Sequence, residues 1–151
     1  MKISRISLLA FSISLLLFSF SGCKKEEPIS STPSIKFISM TPATATKNVD
    51  EIKITIEYTD GDGDLGENTP DMKNLFCTDS RNGVTYEFRI PQLAPTGSNI
   101  IITGQQVFNL PPQGFIDDNQ TTETTTYSVY IVDRAGNQSN TVQTNMLTIN
   151  Q

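Results

Sequence analysis

The chain has 151 residues, with 11 Lys and Arg against 16 Asp and Glu and a net charge of −5. It contains no histidine and no tryptophan. This removes the commonest general base, the usual catalytic triads, most zinc chemistry and the strongest stacking platform for sugars.

The N-terminus reads MKISRISLLAFSISLLLFSFSGC. Lys2 and Arg5 form a positive head, and Ile6–Phe20 is an apolar stretch of 15 residues interrupted only by small side chains. A membrane span needs about 20 residues, so this length suits the apolar region of a cleaved signal peptide. Phe20-Ser21-Gly22-Cys23 resembles a bacterial lipobox, with phenylalanine where leucine is usual. The resemblance implies that residues 1–22 are a lipoprotein signal peptide and that Cys23 carries a covalent lipid at the new N-terminus. Each buried CH₂ contributes about 0.8 kcal/mol, so two or three acyl chains would hold the protein on a membrane essentially permanently.

Residues 23–33 continue as the lipidated cysteine and a charged, then Ser/Thr/Pro-rich stretch, KKEEPISSTP, which reads as a flexible tether. Its Lys-Glu-Glu run also looks like the signal by which Bacteroidota export lipoproteins to the cell surface, or it is simply a solvated linker. The expected location is the outer membrane, with exposure at the cell surface as its extension.

Residues 34–151 are long enough for one domain with its own core. From Pro33 onward there are 7 Lys and Arg against 14 Asp and Glu, and that excess argues against nucleic acid, whose partners present a basic face. Only Cys77 remains in this part, so no internal disulfide can form.

The domain reads as all-β. Short alternating runs rich in Thr, Ile, Val and Tyr are separated by Gly/Asn/Asp/Pro clusters, and seven are predicted: 34–40, 51–59, 73–81, 84–91, 99–110, 124–133 and 141–149. The second is the clearest, with Ile52, Ile54, Ile56 and Tyr58 alternating with Lys53, Thr55, Glu57 and Thr59. One side of it faces a core and the other faces water.

YTDGDGDLGEN follows at 58–68. Calcium takes six to eight oxygen ligands, and carboxylates at every second residue of a tight bend supply them well. Counting from Asp60, the twelve-residue calcium-loop spacing predicts ligands at Asp60, Asp62, Asp64, the Gly66 carbonyl, Asn68 and Asp71. Leu65 stands where a glycine is usual and Asp71 where a glutamate is usual. The competing reading is an acidic turn built from common turn residues. Yet three carboxylates in five residues repel one another unless solvated or bridged by a cation. Asp133 is a candidate further ligand, with Arg134 or a backbone amide of its own hairpin as its rival partner.

Asn82-Gly83 predicts a two-residue type I′ hairpin, pairing Arg81 with Val84, Asp79 with Tyr86, Cys77 with Phe88 and Leu75 with Ile90. Leu75, Cys77, Val84, Tyr86, Phe88 and Ile90 then share the inward face. Cys77, among hydrophobes, is expected to be an inert thiol rather than a reactive one. In the long connection 111–123, Phe115-Ile116 either docks a partner or caps the core.

Tyr127-Ser-Val129-Tyr-Ile131 followed by Asp-Arg-Ala-Gly-Asn resembles the penultimate strand and last hairpin of immunoglobulin-like and fibronectin type III-like domains. The resemblance implies a seven-stranded antiparallel sandwich, with a small barrel as the alternative. It also implies that Tyr127 is a tyrosine-corner residue whose hydroxyl bonds back to the preceding connection.

The expected function is that of a lipid-anchored, non-catalytic binding or structural module of the cell envelope, stabilised by calcium. It would hold the membrane through its lipid and take a protein or glycan ligand. The alternative is a carbohydrate-binding accessory lipoprotein of a glycan uptake system, with Tyr130 as its aromatic platform. Asp117-Asp118, or Asp60 with Asp64, would be the acid–base pair of an enzyme. With neither histidine nor a nucleophile motif, no enzymatic activity is expected.

Overall fold

A computed structural model describes residues 29–151 of the chain. The predicted signal peptide, the lipidation site Cys23 and the first half of the tether lie outside the described residues.

Ten strands and no helix occur among the described residues: β1 (Ser34–Thr41), β2 (Thr44–Thr46), β3 (Ile52–Asp60), β4 (Leu75–Asp79), β5 (Thr85–Phe88), β6 (Ile102–Leu110), β7 (Thr122–Thr125), β8 (Tyr127–Ile131), β9 (Val142–Gln143) and β10 (Leu147–Asn150). They pair in the orders β1-β3-β6, β5-β4-β8-β9 and β2-β10-β7. The all-β expectation is met. The count of seven differs, because Thr126 and Thr144–Met146 each interrupt a run predicted as one, and because β2 forms where no strand was predicted. The pairing is not wholly antiparallel either, since β2 runs parallel to β10.

One core joins all three sheets. Ile52, Ile54 and Ile56 of β3 face Leu75 and Cys77 of β4, Val129 and Ile131 of β8, and Leu147 and Ile149 of β10, all wholly buried. Burying each large aliphatic side chain contributes about 1.5–3 kcal/mol. The alternation read in β3 is present residue for residue, and it runs one step further than apolar chemistry would carry it. Asp60, two residues beyond Tyr58, falls on the same inward face and is also wholly buried. Asp79 ends the inward face of β4 in the same way, 1 % exposed.

The β4–β5 hairpin departs from its predicted register. Leu75 pairs with Phe88, and Cys77 with Tyr86. The loop is therefore Ser80–Gly83, closed by the Asp79 amide donating to the Val84 carbonyl at 2.9 Å. A type I′ turn needs positive φ at both central residues, but in this loop only Gly83 has it, at 72°. The cause is Asp79, whose carboxylate accepts from the Arg81 amide at 2.9 Å and from the Arg81 guanidinium. That local bond curls the chain two residues early. A shift of two preserves which side chains share a face, so Leu75, Cys77, Tyr86 and Phe88 still point together. Val84 does not follow them and is exposed.

Arg81 also reaches the long connection, donating to the Gly114 carbonyl and to Glu123. Glu123 in turn accepts from the amides of Ile116 and Asp117. Phe115 packs against the core beneath the Lys47 ammonium, 4.5 Å from the ring centre, while Ile116 is exposed. The two halves of the Phe115-Ile116 pair thus divide, one capping the core and the other facing water.

Tyr127 is wholly buried, but its hydroxyl bonds to no protein group. The tyrosine-corner bond expected of it is not made. Burial first, then the nearby charge of Asp79, raises its pKa.

Candidate metal centre

The strand pairings sort the connections into two ends. Ser34 pairs with Thr59 and Asp60 with Ile102, so the loop after β3, the start of β1 and the start of β6 lie together. Leu75 pairs with Ile131, so the start of β4 lies beside the Asp133–Asn140 turn, and the bond from the Ala135 amide to Asp64 brings both to that same end. The Ser80–Gly83 loop and the connection 111–121 lie at the other.

At the first end Asp60, Asp62 and Asp64 each direct one carboxylate oxygen to a common point, and these atoms lie within 4.8 Å of one another. Two oxygens bound to one calcium at 2.3–2.6 Å cannot be more than about 5 Å apart, so the spacing fits. The alternation of Asp with Gly makes the convergence possible. Gly66, at φ 94°, adopts a conformation that L side chains rarely take. Leu65 is a plug in the core rather than a misplaced turn residue, and its amide donates to Asp60 Oδ2 at 3.0 Å.

Three buried oxygens have no hydrogen-bond partner: Asp60 Oδ1, Asp62 Oδ1 and Asp64 Oδ1. Buried carboxylate oxygens without donors are costly. The charge state records that cost. Burial, then repulsion from Asp62 and Asp133, holds the Asp60 carboxyl above its usual range against the lowering effect of the Leu65 amide. Burial, then repulsion from Asp133, Asp62 and Asp60, does the same to Asp64. Burial and mutual repulsion are the two costs that a cation at this point would offset.

The remaining predicted ligands are placed differently. The Gly66 carbonyl accepts from Arg134 Nη1 at 2.9 Å. The Asn68 side chain donates to Gln92, and Asp71 is exposed, outside the three-carboxylate group. The twelve-residue spacing therefore holds only for its first five residues. The hydrophobic pull on Leu65 ends the bend there, and the chain leaves along Glu67, whose amide bonds to the Ile90 carbonyl.

Asp133 is 6 % exposed, and its two carboxylate oxygens accept from the Asn137 amide and side chain at 2.7 and 2.8 Å. Its partner is thus its own hairpin, through Asn137 and not through Arg134. Its charge still acts on Asp60 and Asp64. Arg134 instead clamps the acidic loop, holding the Gly66 carbonyl while the Ala135 amide donates to Asp64 Oδ2 at 3.0 Å. Sequence reasoning had no means to assign that clamp. The only available signal was that Arg134 is the sole cation in a turn expected at the acidic end.

Beside the hairpin, Glu67, Met72, Lys73, Asn74, Val132 and Arg134 line a cleft of about 220 Å³. Cys77 is buried, and its thiol is pushed up to about 12 by burial and then by the Asp79 charge, in keeping with an inert thiol. Asp117 and Asp118 do not form a carboxylate pair. Asp117 accepts from Asn119 and Gln120, and Asp118 pairs with Lys47 at 2.8 Å. No family model matches the chain, and comparison with curated proteins and with solved structures finds no match.

Proposed function

We propose that this protein is a lipid-anchored, non-catalytic module of the bacterial cell envelope, whose domain is stabilised at one end by a bound divalent cation. Calcium is the cation that suits an all-oxygen donor set of this size. The observation that carries the reading is the set of three buried, partnerless carboxylate oxygens at Asp60, Asp62 and Asp64. Protein groups would supply those three ligands, and water the rest of the shell. An immunoglobulin-like plan is supported by the all-β content and by the single core that the three sheets share. A non-catalytic role is supported by the absence of histidine from the sequence and by the burial of Cys77, whose thiol is held in its neutral form.

Calcium titration of the mature chain, followed by heat release and melting temperature, tests the cation. The expected result is saturable binding that raises the melting temperature and is lost in Asp62→Asn/Asp64→Asn. No shift at millimolar calcium would reduce the loop to an acidic turn. Palmitate labelling that disappears in Cys23→Ala tests the anchor.

A second reading, carbohydrate binding at the cell surface, is favoured by one feature. Phe76 and Tyr130 stack on the outward side of β4 and β8, with ring centres 4.9 Å apart and planes inclined by 17°. Aromatic faces on a polar sheet are what sugar rings stack on. A glycan array probed with the parent and with Tyr130→Ala decides it, because binding by the parent that the variant loses is required.

A further inference from the structure

The tether does not leave the domain freely. Pro33 is buried, and the Asn140 side chain holds the first core residue of β1 from both sides, accepting from the Ile35 amide at 2.8 Å and donating to its carbonyl at 2.9 Å. Before Pro33 the chain crosses the acidic loop. The carbonyls of Ile29 and Ser30 lie so close to Gly61 that a methyl group there would collide with both, coming within 2.6 Å of the Ile29 oxygen. These are backbone atoms, which cannot swing aside as the end of a flexible side chain can. Gly61 is therefore required by close approach, because it is the seat on which the tether rests.

We propose that this seat fixes the domain on the bilayer with its acidic end toward the lipid and its opposite end outward, a polarity that rests on the lipid-anchor reading. Six residue-to-residue steps lead from Cys23 to Ile29. At ~3.6 Å per residue they span at most about 22 Å, less than the reach needed for a domain of this size to turn over. The acidic loop, the Asp133–Asn140 hairpin and the cleft between them then face the headgroups. The outward end carries the Ser80–Gly83 loop and the connection 111–121, with Ile116 and Val49 exposed there. A divalent cation at Asp60, Asp62 and Asp64 also reduces the repulsion that this end would otherwise feel from an anionic leaflet.

The test uses the full lipidated chain reconstituted in vesicles carrying headgroup acceptors, with a fluorescent donor on one introduced cysteine. Asn99→Cys reports the acidic end, since its neighbour Ile100 lies against Gly63. Thr121→Cys reports the opposite end, where its carbonyl accepts from the C-terminal Gln151. Buried Cys77 does not compete for label. Energy transfer is expected to be several-fold stronger from the Asn99 position. It should become nearly equal from the two positions in Gly61→Ala, and likewise when about twelve Gly/Ser residues are inserted before Pro28, a change that leaves the folded part untouched. Equal transfer in the parent chain, or a difference that survives both variants, overturns the proposal. Failure of the parent to float with vesicles would instead refute the anchor. In that case magnetic-resonance contacts between the Gly61 α-protons and Ser30 still test the seat, and their absence overturns it.

Discussion

Asp60 and Asp79 end the inward faces of β3 and β4 at opposite ends of the molecule, and only Asp79 has an arginine. Arg81 Nη2 lies 2.7 Å from Asp79 Oδ2, with side chains 10 % and 1 % exposed, whereas among the described residues no lysine or arginine pairs with Asp60. Two carboxylates brought inside by the same two-residue period thus meet opposite electrostatic fates. One is neutralised by its own hairpin, and the other has no cationic side chain beside it among the described residues.

Arg81→Leu removes the compensating charge while Asp79 stays buried. It is expected to destabilise the domain by about 3–5 kcal/mol in urea denaturation and to loosen the connection that Arg81 and Glu123 hold. Burial pushes Asp79 up, but the bonds from Arg81 and Thr125 prevail and keep it below 3.8. Its contribution is therefore present above 3.8 and lost as pH falls through the lower folded value. A loss of stability that is no larger than for an exposed pair would show that the network carries little.

The acidic loop has the opposite sign. Asp60 and Asp64 are raised above 3.8, so in calcium-free protein the folded state binds protons more tightly than the unfolded one. Their contribution to stability should increase as pH falls through the raised values toward 3.8. The melting shift produced by calcium should shrink across that same window, because protons and calcium compete for the same oxygens. Melting curves of the parent and of Asp60→Asn, with calcium and with chelator, isolate the effect. In chelator near neutral pH the variant is expected to be the more stable.

Tyr127→Phe tests the hydroxyl. In a tyrosine corner, deleting the hydroxyl removes a hydrogen bond and costs about 0.5–1.5 kcal/mol. Here the buried hydroxyl has no partner, so the change is expected to be neutral or stabilising by chemical denaturation. A clear loss would mean that the hydroxyl bonds in solution after all.

Cys77 should resist thiol reagents in the native protein near pH 8 and react at once in denaturant, since its pKa of about 12 and its burial remove both thiolate and access. The rate of native labelling then reports global opening.

The sequence carried the strand content because side-chain alternation is a local property. The period in Ile52–Tyr58 requires only that one face be buried, and β3 is the result. It also carried the inward set of the β4–β5 hairpin except for Val84, since parity survives the shift of two residues that Asp79 imposes. The short β2 was not legible, because three residues hold no period and the strand exists only where β10 lies alongside it.

Of the candidate metal centre, the sequence by itself marked the three carboxylates at Asp60, Asp62 and Asp64, since alternation with glycine favours bringing their oxygens round one bend. It could not determine which later oxygens would join them. That was decided by the core's claim on Leu65, which turned Asn68 and Asp71 away, and by the hairpin bearing Arg134 and Asp133, about seventy residues distant. The seat of the tether on Gly61 is likewise a tertiary fact. A glycine needed for close approach looks no different in sequence from one needed for a turn, until the backbone that approaches it is in place.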